Sequence, residues 1–242
     1  MKALLAQTRT ELVLSFRQGE QLLVSLGIPV LLLVFLSVVD LVPTGTDRSI
    51  DYLAPATLGL AVLSSSMVSL GIGTGFERHY GVLKRLGATP LGRPRLVGAK
   101  IAATLTIEVV QLTLLGAVAL GLSWDPTVRP ALLIGAALLG TATFAGTGLL
   151  LAGRLSGPAN LAAANGLYLV LLLLGGVAVP ADELPGPLGT IAGALPSGAL
   201  VDAMRAATTA GVDAGRPFAV LAVWAILAPA AAVATFRWAP SD

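Results

Sequence analysis

The sequence predicts an all-α integral membrane protein with six apolar spans, and three observations carry that prediction. Apolar residues make up 55% of the 242 and charged residues only 12%, where a soluble domain carries about 25% charged. The apolar residues are gathered into runs near the roughly 20 residues that a bilayer helix needs. Between the runs lie short polar segments whose basic residues are unevenly shared, as they are around membrane helices.

The elements follow in order. Residues 1–18 read as an amphipathic helix lying on the membrane surface: Leu5, Thr8, Leu12 and Phe16 recur at helical spacing, with Lys2, Arg9 and Gln18 elsewhere on the wheel. They lack the charged start, apolar core and small-residue site of a cleaved signal in that order. A plain polar tail extending the first span is the alternative. Spans are expected near 21–39, 53–75, 98–122, 131–152, 160–179 and 217–236, all in one transmembrane domain over 1–242. An even number puts both termini on one side. With the N-terminus inside, the cytoplasmic side holds Lys2, Arg9, Arg17, Arg78, Lys84, Arg85, Arg93, Arg95, Lys100, Arg154 and Arg237. Those are 11 of the 15 Lys and Arg, leaving Arg48, Arg129, Arg205 and Arg216 outside. The positive-inside rule therefore places both termini in the cytoplasm.

The segment between spans two and three holds more than a connector needs. Glu77 and Arg78 open it, Val82, Leu83 and Leu86 give an apolar face, and Thr89-Pro90 closes it. A short helix parallel to the membrane is expected over 77–90, and a bare topology signal is the bland alternative. Between spans five and six, Pro180 and Pro185 precede an apolar stretch, 188–200, too short to span. Pro196 breaks it, and Arg205 follows on a second short helix.

Composition also excludes chemistry. There is no Cys and a single His79, so no disulfide framework, metal cluster or His-based triad is expected, and no catalytic residue is assigned. The pI of 9.3 comes with a net charge of only +2, and membrane topology explains it without nucleic acid. No glycine-rich loop ending in Gly-Lys-Ser/Thr is present to cradle phosphates. Glu108 lies about ten residues into span three, roughly 15 Å from its start. An ionisable group at that depth faces protein or water. With Gln111 one turn on, it marks either a substrate path or subunit interface, or a structural acid, protonated or bonded to a neighbouring helix. Thr104, Thr113, Thr141, Thr143, Thr147 and Asn165 read as packing residues.

The order Glu77-Arg78-x-x-Gly81-x-Leu83-x-x-Leu86-x-x-Thr89-Pro90, followed by Lys100, resembles the inner loop of type-2 ABC exporter permeases. The run Pro180-x-x-x-Leu184-Pro185, then Pro196 and Arg205, is similar to that family's segment between spans five and six. The resemblance covers essentially the whole chain. It departs from the pattern after Arg78, where His79 and Tyr80 replace a second acid. The resemblance implies that 77–90 is a coupling helix inserted into an ATPase subunit, and that 180–210 forms outer re-entrant helices. It further implies ATP and Mg on a partner ATPase, with no cofactor in this chain. A second permease copy or a sister permease is also implied. The function implied is export of a hydrophobic or amphipathic compound (a drug, an antibiotic or a lipid-like product) across the cell membrane. An ATP-independent carrier or structural membrane subunit is the main rival, and an integral membrane enzyme a weaker one.

Overall fold

The computed structural model describes residues 2–17, 19–39, 48–89, 92–175 and 187–238. Those residues are mostly helical, with no strand among them. The helices are α1 (Lys2–Arg17), α2 (Gly19–Val39), α3 (Ser49–Leu63), α4 (Leu70–His79), α5 (Val82–Gly87), α6 (Arg93–Gly121), α7 (Pro130–Arg154), α8 (Gly157–Leu174), α9 (Pro187–Ala194), α10 (Pro196–Thr208) and α11 (Gly215–Thr235). A π turn over Ser64–Ser69 joins α3 to α4 without a break, so Ser49–His79 is one helix of 31 residues. At 1.5 Å per residue it is roughly 46 Å long, well over a bilayer core.

Among the described residues, five helices are long and apolar enough to cross a membrane: Ser49–His79, α6, α7, α8 and α11. Helix α2 contributes a shorter apolar stretch, Gly27–Ser37. The outward faces of the bundle are apolar, with Leu114, Leu138, Leu173, Ile226 and Val233 exposed. Lipid is the solvent that such faces require.

The Ser49–His79 helix is the centre of the bundle. Its α3 part packs on α2, α6, α7 and α10, and its α4 part, beyond the π turn, packs on α7 and α8. Small residues permit close crossings: a Cβ on Gly71 would stand 2.9 Å from the Gly148 Cα. Without a hydrophobic drive inside lipid, backbone proximity of this kind is what holds helices together.

At the α10 end of the bundle, Leu195 is extended and Pro196 sits in the first turn of α10, where its missing N–H costs nothing. Proline thus ends α9 and starts α10, as the sequence indicates. Leu200, Val201 and Met204 are buried, with Leu200 and Val201 against Gly59 of α3. Arg129 straps the end of this helix, donating to the carbonyls of Ala206, Thr209 (3.0 Å) and Val212 (3.2 Å). Pro180 and Pro185 lie outside the described residues.

Candidate functional site

At the opposite end, α4 does not run on into the next helix. Gly81 adopts the left-handed backbone, φ +70°, a conformation that side chains resist. The expected single helix over 77–90 is therefore two pieces, the last turn of α4 and the six-residue α5. Glu77 and Arg78 close a spanning helix rather than opening an interfacial one, which corrects the sequence expectation. The misreading arose because the apolar pattern of 82–86 is continuous with them and Gly81 is the sole local breaker.

That change of place alters what each residue can do. Arg78 is only 2% exposed. Its guanidinium donates to the carbonyls of Ala152 (3.1 Å) and Leu155 (2.9 Å), at the end of α7. Leu83 is 1% exposed and packs with Leu96, next to Leu86, Phe236 and Trp238. The apolar face of α5 is thus turned onto its own chain, and Leu83 is not available to a partner. Arg93 lies 4.9 Å from the Trp238 ring centre and fixes the same corner. Thr89 caps α5, its hydroxyl donating to the Leu86 carbonyl at 2.6 Å. Pro90 lies outside the described residues. The outward surface of this turn is His79, Tyr80, Lys84, Arg85, Ala88 and Thr89. Tyr80, 65% exposed, has its ring 5.2 Å from that of His79 and 6.1 Å from that of Phe76. His79 and Tyr80, where the sequence departs from the resembled pattern, both lie on this exposed surface.

Behind the turn lies a cavity of about 840 Å³, walled by α1, α4, α6 and α8. Lys100 stands in it between two acids, donating to Glu77 at 2.7 Å and to Glu11 at 3.0 Å. Helix α1 is held to the bundle by this contact and by its packing on α6. Its packed side is mixed, since Leu4, Gln7, Glu11, Leu12 and Ser15 are half-buried while Leu5 is exposed. Of the stripe expected to lie on the membrane surface, Leu5 is exposed, and Thr8 and Leu12 are half-buried. Nothing in the sequence pairs residues 11, 77 and 100.

Glu108 and Gln111 lie deeper, on the face of α6 that meets the π turn and α7. Each is 2% exposed. The Thr141 hydroxyl donates to Glu108 at 2.6 Å, and the Ser65 hydroxyl donates to Gln111. A π turn leaves backbone carbonyls off register and draws in side-chain hydroxyls. The run Ser64-Ser65-Ser66 supplies them, with Ser66 donating to the Val62 carbonyl. Glu108 and Gln111 share one face as the sequence indicates, and Thr141, read there as a packing residue, is a direct partner. Arg205 sits apart at the other end, 4.4 Å from the Tyr52 ring centre and 3.3 Å from Asp202. Among the described residues no group of His, Asp and Glu could hold a metal ion.

Residues 2–208 match the ABC-2 type transporter family. The chain belongs to that family. The match takes in α1, the turn at 77–89, the π turn, Glu108 and α10, so every feature described above falls within it except α11 and the tail. This protein is thus a membrane subunit of an ABC transporter, a transport component rather than an enzyme, and an ATPase partner comes with the family. A comparison with curated proteins finds no match.

Proposed function

We propose that this ABC-2 permease exports a hydrophobic or amphipathic small molecule (a drug, an antibiotic or a lipid-like product) from the cytoplasm across the cell membrane. Both termini are cytoplasmic, and the pathway lies between this chain and a second copy or a sister permease. ATP and Mg bind on separate ATPase subunits.

One observation carries the proposal: a short basic and aromatic turn, 79–89, stands out from the end of a helix that runs through the centre of the bundle. Tyr80, Lys84 and Arg85 are its exposed anchors. Aromatic and arginine side chains are the residue types that concentrate binding energy at interfaces. Arg78 below them ties the turn to the end of α7. Force applied to the turn therefore reaches two spanning helices at once. Closure of an ATPase pair would rock these helices as a unit and open the far side.

The test is capture of an ABC ATPase from mild detergent by wild type and by a Tyr80→Ala/Lys84→Glu/Arg85→Glu variant. Capture by wild type and loss in the variant is the expected result. A well-folded wild type that captures no ATPase returns the chain to an ATP-independent carrier or a structural subunit.

A further inference from the structure

Past the end of α11 the chain lies across the foot of α7. Phe236 is extended and takes the space that a Gly153 side chain would need. The Arg237 N–H donates to the Gly153 carbonyl at 3.2 Å, which sets Arg237 beside Arg154. Trp238 is carried to the start of α6, where its ring centre lies 4.9 Å from the Arg93 guanidinium. Arg78 is buried beneath, on the last carbonyls of α7, and the charge of Arg237 acts on it. Four guanidinium groups are thus gathered at one corner, and like charges repel. Arg93, Arg154 and Arg237 are exposed, and none of the three makes an ion pair with a described residue. The described acids at this end, Glu11 and Glu77, are both held by Lys100. Asp242 lies outside the described residues and offsets one charge at most. The corner calls for an anion.

The neighbouring surface says which anion. Among the described residues α11 is the least buried of the five spanning helices. Val233, 84% exposed, stands on its last turn, with Ile226 and Leu227 exposed further along. Acyl chains are the solvent for such a wall. Trp238, at its end, is a residue type that sits at headgroup level. Guanidinium groups recognise phosphate oxygens in pairs, and basic pockets between spanning helices bind anionic headgroups. An acidic protein surface would match the charges and leave the apolar wall unmatched.

We infer that this corner binds an anionic phospholipid of the leaflet on the turn's side of the membrane. Arg154 and Arg237 donate to its phosphate, Arg93 adds to the positive field, and its acyl chains lie on α11. The same corner holds Leu83 against Phe236 and Trp238, so the bound lipid braces the mount of the turn. The site is one for a resident lipid and stands independently of the exporter function proposed above.

Dioleoylphosphatidylglycerol and dioleoylphosphatidylcholine are titrated separately onto the permease in detergent, and bound lipids are counted by native mass spectrometry. Each basic residue near a membrane surface favours anionic lipid by about fivefold, so phosphatidylglycerol should bind at least about tenfold more tightly. Arg154→Gln/Arg237→Gln should weaken phosphatidylglycerol by about twentyfold and leave phosphatidylcholine unchanged. Both side chains are exposed and bond no described residue, so the variant keeps the fold. Arg216→Gln removes a charge at the opposite end of α11 and should leave both lipids unchanged. Phosphatidylglycerol binding that ignores the double substitution overturns the assignment, and lost ATPase capture by that variant would then give the corner to the ATPase. An equal fall in Arg216→Gln also overturns it, since net charge alone would then hold the lipid. So does displacement of the lipid by an equal concentration of inorganic phosphate, which would mark a site for a soluble anion.

Discussion

Arg78 offers the sharpest test of how the turn is mounted. Its guanidinium is buried and satisfies two carbonyls at the end of α7, those of Ala152 and Leu155. Helix C-termini leave such carbonyls without intrahelical partners, and a cation there also suits the helix dipole. Each bond from a charged donor is worth about 1.5–3 kcal/mol. Against this stands the cost of keeping the guanidinium out of water, so the pair together should net about 2–3 kcal/mol. Arg78→Met keeps most of the stem's packing and removes both bonds. In a chain of this size each kcal/mol moves Tm by about 2–4 °C, which gives a fall of roughly 5–10 °C. Arg78→Lys, a point charge without the planar fork, should lose about half as much. The assay is thermal unfolding of the purified protein in nanodiscs, with ATPase capture measured on the same preparations. A Met variant within about 2 °C of wild type refutes the clamp. Lost capture at an unchanged Tm would instead return Arg78 to the docking surface.

Three further outcomes are expected. The Tyr80→Ala/Lys84→Glu/Arg85→Glu variant should unfold within about 2 °C of wild type while losing ATPase capture, because surface changes away from packed features cost under about 0.5 kcal/mol. Gly148→Ala should destabilise by about 1–3 kcal/mol, read as a lower Tm, since its Cβ would stand 2.6 Å from the Met67 carbonyl oxygen. Glu108→Gln keeps an acceptor for Thr141, and a membrane hydrogen bond averages about 0.6 kcal/mol, so Tm and export should both hold. Export lost at an unchanged Tm would place that carboxyl on the pathway instead.

The fold was legible wherever one residue's chemistry decides locally. Pro196 had to separate two helices, and α9 and α10 meet there. The apolar runs marked the spanning helices for the same reason, since length and hydropathy are properties of a single segment. Their ends were less legible. Helix α6 begins at Arg93 rather than near 98, because Gly92 and Pro94 make a start signal that polar neighbours do not obscure in three dimensions. The π turn was not legible at all, because three serines in an apolar run carry no local signal for one.

The candidate site was legible only where its members were close in sequence. Glu108 and Gln111 were paired by helical spacing, but Thr141 could join them only through the packing of α6, α7 and the π turn. The turn at 77–89 was found by its charges and then misassigned in detail, for a reason of general interest. Leucines at helical spacing identify an apolar face without saying what that face touches. Leu83 and Leu86 pack on Leu96, Phe236 and Trp238 of their own chain, which leaves contact with a partner to the residues between them. Lys84 and Arg85, which read as topology signals, are therefore exposed beside that face, and the burial of Leu83 is the reason they point outward.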